Sequence, residues 1–178
     1  MPGKKSAVFI IAFQNFRDEE YFRSREILEK SGFQIAVVST EKGIAHGIEG
    51  GEVKVDSTIE SVKVVNFDAV IFVGGPGVIK HQDNKSFHRL AQEAVAQGKV
   101  VAAICIAPTI LAKAGILDGR RATVWSSALD RRPVQLLQEE GAIFENKPVV
   151  IDDKLITATG PQVAKEFGEA IVQVVKKK

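Results

Sequence analysis

Residues 99–108, KVVAAICIAP, lead from an apolar strand directly into the start of a helix, with Cys105 at the junction. Residues 100–104 are all apolar and either small or β-branched, which is typical of a strand buried on both faces of a parallel sheet. Pro108 favours the first turn of a helix, where its missing N–H leaves no hydrogen bond unmade. The stretch therefore predicts a nucleophile elbow, a sharp turn that holds one side chain up at the edge of a sheet.

Apolar strands alternate with segments of helical periodicity on both sides of this elbow. Strands are predicted at residues 7–13, 33–39, 67–73 and 122–125, with a hairpin formed by 147–151 and 154–159; helices are predicted at 18–30, 84–97, 107–114, 130–140 and 162–176. The glycine-rich residues 41–56 indicate loops and a short edge hairpin. This alternation predicts one α/β domain over residues 1–178, with a mostly parallel sheet and helices on both faces.

Length, charge and cysteine content narrow the class of protein. A chain of 178 residues with 45% hydrophobic residues suits one globular domain with a sizeable core. The net charge is only +2 and no basic stripe alternates with aromatic residues, which argues against nucleic-acid binding. The apolar residues 7–13 are too short to cross a membrane, and no signal-peptide cleavage pattern follows them. A single cysteine excludes an internal disulfide and predicts a reducing, cytoplasmic location.

Cys105 is the first candidate functional residue. At an elbow, the following helix directs its N-terminal N–H groups and partial positive charge at the sulfur, which lowers the thiol pKa and favours an exposed thiolate. The alternative is an inert buried cysteine, the usual state of a free cysteine. Spacing alone leaves both interpretations open.

Two further features are predicted to meet Cys105 at the carboxyl ends of the strands, where ligands bind in open α/β sheets. Gly74 and Gly75 follow the third strand, and their backbone N–H groups suit an oxyanion hole, although a plain turn has the same composition. The acidic residues 18–20 follow the first strand. One of their carboxyl groups is a candidate general acid or base, although acids also stabilise the first turn of any helix.

The histidines offer no obvious base. His46, His81 and His88 are all distant from Cys105 in the sequence, and no pair has the spacing of a metal site. His81 follows the glycine loop and is a candidate to reach the site, but we favour its interpretation as an exposed loop residue. We interpret His88 as a surface residue of a helix. Neither a metal nor a cofactor is therefore expected.

Longer motifs extend these features over nearly the whole chain. Residues 103–108 (AICIAP), 111–115 (LAKAG) and 119–123 (GRRAT) closely resemble the "AIC-x-x-P … LA-x-AG-x-L-x-G-(K/R)-x-A-T" core of the ThiJ/PfpI (DJ-one) superfamily. The acidic motif in residues 16–20 and the segment 159–161 (TGP) before the last helix are similar to further motifs of that superfamily. Residues 67–70 (FDAV), which lead to the diglycine at residues 74–75, resemble the strand that precedes the diglycine of that superfamily.

The resemblance implies a flavodoxin-like three-layer sandwich, similar to class I glutamine amidotransferases. It implies that Cys105 is a reactive thiol with strained backbone and that Glu20, rather than Glu19, is the acid beside it. It also implies that the amides of Gly75 and Ile106 act as oxyanion donors. Homodimers or homohexamers are usual in the superfamily.

One position departs from the superfamily pattern. In PfpI-type peptidases and many relatives a histidine follows the cysteine, whereas this chain has Ile106, which cannot accept a proton. The elbow is then more similar to that of the DJ-one branch, but Trp125 stands where that branch often has another histidine. Trp125 and Pro161 are expected to line the pocket. The sequence does not decide whether Trp125 narrows it, but a bulky indole near Cys105 would restrict it to small substrates.

These features lead to one expected function and three alternatives. The expected function is a cofactor-independent glyoxalase III-type or deglycase-type enzyme for small reactive carbonyls, with Cys105 as nucleophile and Glu20 as acid/base. The alternatives are a redox-sensing stress protein oxidised at Cys105, an intracellular PfpI-type cysteine peptidase, and an inactive family member. The expected partners are a small carbonyl compound and further copies of the chain, rather than nucleic acid or a membrane.

Overall fold

A computed structural model describes residues 3–177. Its strands are β1 (Ser6–Ile10), β2 (Gln14–Phe16), β3 (Gln34–Ser39), β4 (Gly43–Gly47), β5 (Glu52–Val55), β6 (Ser57–Thr58), β7 (Ala69–Phe72), β8 (Val100–Ile104), β9 (Arg121–Ala122), β10 (Ile143–Phe144), β11 (Val149–Asp152) and β12 (Leu155–Ala158). Its helices are α1 (Asp18–Lys30), α2 (Lys85–Ala96), α3 (Pro108–Lys113), α4 (Arg132–Glu139) and α5 (Ala164–Lys176). Within residues 3–177, no helix combines the length and the apolar composition of a membrane-spanning segment.

The central sheet contains seven of the described strands, in the order β11-β12-β8-β7-β1-β3-β6. All neighbouring strands are parallel except β11 and β12, which form an antiparallel hairpin at one edge. Both β7 and β8 are buried along their full length, as expected for inner strands with helices on both faces. The predicted mostly parallel sheet is confirmed.

Side chains that alternate along the strands build one core on each face of the sheet. Val8 and Ile10 of β1 pack in a cluster with residues of α2, α3 and α4. Ala7 and Phe9 point to the other face and pack with residues of α1 and α5. Because successive side chains of a strand point to opposite faces, one apolar strand serves both cores and the result is a three-layer sandwich.

The prediction of a fifth strand at residues 122–125 is wrong. Only Arg121–Ala122 is a strand, and it pairs with Ile143–Phe144 in a two-stranded sheet outside the central one. The backbone that follows bonds to other groups instead: the Thr123 amide donates to Thr157 Oγ1 at 2.9 Å, and the Trp125 amide donates to the Cys105 carbonyl at 2.8 Å. The segment is therefore tied to the elbow rather than to a strand.

The two predicted hairpins are confirmed, and one of them approaches the elbow. The β11–β12 hairpin turns at Asp153, which has a φ of 53°. In the glycine-rich segment β4 and β5 pair antiparallel, and β2 joins β4 in a separate three-stranded sheet. The loop between β4 and β5 reaches the elbow region: the Ile48 amide donates to the Phe16 carbonyl at 2.9 Å, and Ile48 and Cys105 line one cavity. The predicted helix at 130–140 begins two residues later, at Arg132, whose amide donates to Asp130 Oδ1 at 3.1 Å.

Candidate active site

Cys105 occupies a strained turn at the carboxyl end of β8. Its φ is 63°, in the left-handed region that costs a non-glycine residue roughly 1–2 kcal/mol. Two backbone hydrogen bonds hold it there: its amide donates to the Ala158 carbonyl at 2.9 Å, and its carbonyl accepts from the Trp125 amide at 2.8 Å. Non-glycine residues in this conformation cluster at functional sites, where the surrounding structure enforces the strain.

Glu20 brings a carboxyl group from the first turn of α1 to the elbow. The residue is fully buried, and its Oε2 accepts a hydrogen bond from the Gly74 amide at 2.9 Å. Its Oε1 is buried without a well-formed hydrogen bond to any described residue, and the Cys105 thiol is the polar side chain that interacts with the carboxyl. A Cβ on Gly74 would lie 2.7 Å from Cys105 Cβ and 2.8 Å from Glu20 Oε2, so only glycine leaves room for both.

Burial raises the pKa of Glu20 from its usual 4.5 to about 7. Hydrogen bonds from Cys105 and Gly74 and the charge of Arg17 oppose this shift, but they are weaker than the cost of desolvating a carboxylate. Near neutral pH the protonated and ionised forms are therefore both populated. That is the condition under which a carboxyl group can accept a proton and return it.

Burial also raises the pKa of the Cys105 thiol, and the negative charge of Glu20 raises it further. The amides of Ile106 and Gly75 hydrogen-bond the sulfur and oppose the shift, but they do not outweigh it. The prediction of an exposed thiol with a lowered pKa is thus wrong. The sulfur is half-buried, and desolvation dominates over the charge at the start of the short α3.

The predicted oxyanion donors divide into two kinds. The amides of Gly75 and Ile106 both lie at the Cys105 sulfur, where an oxygen on an attached carbon would also be within reach. The Gly74 amide is instead bonded to Glu20. Gly74 therefore positions the acid, and the Gly75 and Ile106 amides are the candidate donors to a reacting oxygen.

A cavity of about 520 Å³ opens above the sulfur, and we call it the Cys105 cavity. Its lining includes Cys105, Ile106 and Gly75, as well as Trp125, which is 36% exposed. Pro161 begins a 3₁₀ turn after β12 and is not part of this lining. The cavity thus gives a small molecule access to the thiol.

None of the three histidines lines the cavity. His81 is buried and stacks on Phe87 with ring centroids 4.7 Å apart, and His88 is buried with Nε2 2.6 Å from the Gln82 carbonyl. The interpretation of both as exposed residues is therefore wrong, because one ring is buried against Phe87 and the other at the Gln82 carbonyl. His46 lies 3.5 Å from Glu52 on the β4–β5 hairpin.

The sequence analysis missed a polar pair that supports the elbow. Gln82 Nε2 donates to Thr109 Oγ1 at 2.9 Å, and the Thr109 hydroxyl donates to the Ile106 carbonyl at 2.6 Å. Both side chains line the Cys105 cavity. No local pattern could reveal the pair, since its members are 27 positions apart and belong to different loop–helix junctions.

A model of the DJ-1/PfpI family matches residues 5–174, which is almost the whole chain. The chain belongs to the DJ-1/PfpI family. The family assignment and the flavodoxin-like fold expected from the sequence motifs are thereby confirmed.

Three relatives show how closely this DJ-1/PfpI protein follows the family. The crystal structure of a ThiJ/PfpI domain protein from Brachyspira murdochii superposes with a TM-score of 0.92 at 35% identity, covering 97% of this chain and 98% of that one. Deglycase PfpI of Pyrococcus furiosus is 29% identical over 154 residues, or 86% of this chain and 90% of the relative. The glutathione-independent glyoxalase DJR-1.2 of Caenorhabditis elegans is 28% identical over 176 residues, or 99% of this chain and 91% of the relative.

Proposed function

We propose that this DJ-1/PfpI protein is a cofactor-independent enzyme that converts small reactive carbonyl compounds, with Cys105 as nucleophile and Glu20 as acid/base. The observation that carries the proposal is the pairing of the Cys105 thiol with a buried carboxyl group whose pKa is raised to about 7, at the base of an open cavity. The names of two relatives, a deglycase and a glutathione-independent glyoxalase, support the same class of reaction.

The pair is suited to forming a covalent adduct with an aldehyde such as methylglyoxal. The thiol passes its proton to the Glu20 carboxylate, so that the buried site carries one negative charge before and after the transfer. The thiolate attacks the aldehyde carbon, forming a C–S bond, and the carbonyl electrons move to oxygen near the Gly75 and Ile106 amides. That oxygen takes the proton from Glu20, which gives a neutral hemithioacetal and restores the carboxylate.

The restored carboxylate can then act as a base. Glu20 removes the proton from the carbon bonded to sulfur and returns it to the neighbouring carbon, while the hydroxyl proton moves from the first oxygen to the second. The product is a thioester of lactate on Cys105. Water hydrolyses this thioester, releasing lactate and the free thiol. Methylglyoxal and one water are consumed, and no external oxidant or reductant is required.

Two of the alternative functions fit the site less well. A peroxide sensor oxidised at Cys105 would have no second cysteine in this sequence with which to form a resolving disulfide. In a cysteine peptidase, a base beside the nucleophile also protonates the departing amine, commonly a histidine. None of the three histidines lines the Cys105 cavity. The carbonyl reaction requires only the groups already at the elbow.

The proposal is tested by lactate formation from methylglyoxal without glutathione or added metal. We expect turnover by the natural chain and a loss of at least about a thousandfold in Cys105→Ser, which keeps the shape of the side chain but removes the nucleophilic sulfur. Circular dichroism of both proteins establishes that they share one fold. Full lactate production by Cys105→Ser or Cys105→Ala would overturn the proposal.

A further inference from the structure

We infer that the site selects 2-oxoaldehydes with a bulky apolar substituent, such as an aromatic ring, over methylglyoxal; this rests on the proposed function. The first observation is size. A water molecule occupies about 30 Å³ of liquid, so the five non-hydrogen atoms of methylglyoxal fill at most roughly 150 Å³. The Cys105 cavity has about 520 Å³. With Trp125 in its wall, the cavity is still several times larger than methylglyoxal.

The second observation is the chemistry of the wall. Ile48, Ile79, Trp125 and Leu136 contribute apolar surface to the cavity from four separate segments of the chain. The first three are 44%, 52% and 36% exposed, and are three of the ten large apolar side chains that are exposed to water among residues 3–177. Apolar residues that gather around one concave site mark it as a place where an apolar ligand group is buried.

The position after the nucleophile contributes to the same wall. Ile106 is half-buried and lines the cavity directly beside Cys105. A basic side chain there would present a charge to the substituent, whereas isoleucine presents only methyl and methylene groups. The replacement of a base by an aliphatic side chain therefore suits an apolar substituent.

The polar and charged side chains of the lining already have partners. Asp130 accepts two hydrogen bonds from the Arg132 guanidinium, at 2.9 and 2.7 Å. Arg17 Nη1 lies 3.6 Å from Glu49 Oε1, so this pair is also neutral overall. Gln82 and Thr109 are bonded to each other. Because both ion pairs are neutral overall, they leave no net charge that would favour an anionic substituent over an apolar one.

The geometry places the substituent against this wall. When the aldehyde carbon is at the sulfur and its oxygen is near the Gly75 and Ile106 amides, the remainder of the molecule occupies the cavity above. Each methylene-sized group buried in an apolar pocket changes specificity by roughly tenfold or more. We therefore expect kcat/KM for phenylglyoxal to exceed that for methylglyoxal by at least about tenfold.

The test compares the two substrates in initial rates, measured before phenylglyoxal modifies the arginines of the rim. The ratio of the two kcat/KM values is determined for the natural chain, for Ile79→Ser and for Leu136→Ser. Removing apolar surface from either wall position should lower the ratio about fivefold or more. Val65→Ser is the matched control, because Val65 is an apolar residue, 65% exposed, that lies outside the lining and precedes β7; its ratio should equal that of the natural chain.

The outcomes separate this inference from the function on which it rests. Cys105-dependent turnover with a ratio of one or less, or a ratio that neither wall variant changes, overturns the inference and leaves the proposed function standing. Turnover of neither substrate overturns the proposed function, and the inference with it. A ratio above about ten that falls in both wall variants supports both.

Discussion

Asp18 and Glu20 lie two positions apart in the first turn of α1, yet their carboxyl groups hold different parts of the molecule. Asp18 accepts hydrogen bonds from the amides of Glu49 and Gly51, at 2.8 and 2.7 Å, and so fixes the loop of the β4–β5 hairpin. Glu20 accepts from the Gly74 amide and meets the Cys105 thiol. One helical turn thus positions both a wall of the cavity, through Ile48 in that loop, and its reactive centre.

Replacing Asp18 by alanine should loosen that loop. The two amide donors would lose their acceptor, which we expect to lower the free energy of unfolding in urea by roughly 1–3 kcal/mol. Since Ile48 lines the cavity and does not belong to the proposed reacting groups, KM should rise more than kcat falls. Glu19→Ala is the control on the same turn and should change stability by less than about 0.5 kcal/mol. Equal effects of the two substitutions would contradict the role given to Asp18.

Replacing Glu20 by glutamine should remove the acid/base group while keeping an acceptor for the Gly74 amide. We expect kcat/KM to fall by about 10²–10⁴-fold, the usual contribution of a general acid or base. If the proposed function holds, the rate of the natural chain should rise with pH through about 7, as Glu20 becomes ionised. This limb of the pH–rate profile should be absent from the residual activity of the variant, and its persistence would assign the limb to another group.

Glu20→Gln should also change how the free energy of unfolding depends on pH. Compared with the natural chain, the variant should lose less stability as the pH rises. Because the pKa of Glu20 is higher in the folded protein than its usual value of 4.5, the folded state binds a proton more tightly than the unfolded chain. The stability that this provides is complete below pH 4.5 and is lost as pH rises through about 7. Glutamine cannot ionise, so between pH 4.5 and pH 8 the free energy of unfolding should shift by about 3 kcal/mol in favour of Glu20→Gln. Urea melts of both proteins at these two pH values measure the shift, and parallel losses of stability would contradict it.

The thiol of Cys105 should resist alkylation at neutral pH. Burial and the charge of Glu20 raise its pKa, so the rate of modification by iodoacetamide should have its midpoint above the value of about 8.5 for an ordinary thiol. In Glu20→Gln the midpoint should move down, because the negative charge beside the sulfur is gone. The position of the midpoint, rather than the absolute rate, is the readout, since access to the sulfur affects only the rate. An unchanged midpoint would show that Glu20 does not influence the thiol.

Adding a methyl group at Gly74 should disrupt the site from within. The new Cβ would lie 2.7 Å from both Cys105 Cβ and the Ile104 carbonyl oxygen, so the elbow and Glu20 must move apart. We expect Gly74→Ala to cost on the order of 1–3 kcal/mol of stability and at least tenfold in kcat/KM. Gly160→Ala is the control, because Gly160 has an extended φ of 165° and its nearest neighbour would be the end of the Gln162 side chain at 2.9 Å. Thermal melts and kinetics of the pair should differ clearly, and similar behaviour would contradict the close packing at Gly74.

Local patterns along the chain were sufficient for most of the central sheet, for the elbow and for most of the helices, but not for the short edge strand β6. Residues 100–104 are apolar at every position because both of their faces are covered, and Pro108 marks the start of the next helix. Such signals depend on periodicity and on the backbone preferences of single residues. They failed at 122–125, where β-branched residues suggested a strand but a threonine side chain and the elbow carbonyl take the backbone hydrogen bonds.

The burial and the pKa values of the site residues depend on segments that meet only in the folded chain. Glu20 and Gly74 are 54 positions apart, and their contact explains why one of three consecutive acids is buried beside the sulfur. The direction of the Cys105 pKa was also beyond local patterns, since the sequence indicates the helix start that would lower it but not the desolvation that raises it. Secondary structure follows from neighbours along the chain, whereas burial and charge at a site follow from neighbours in space.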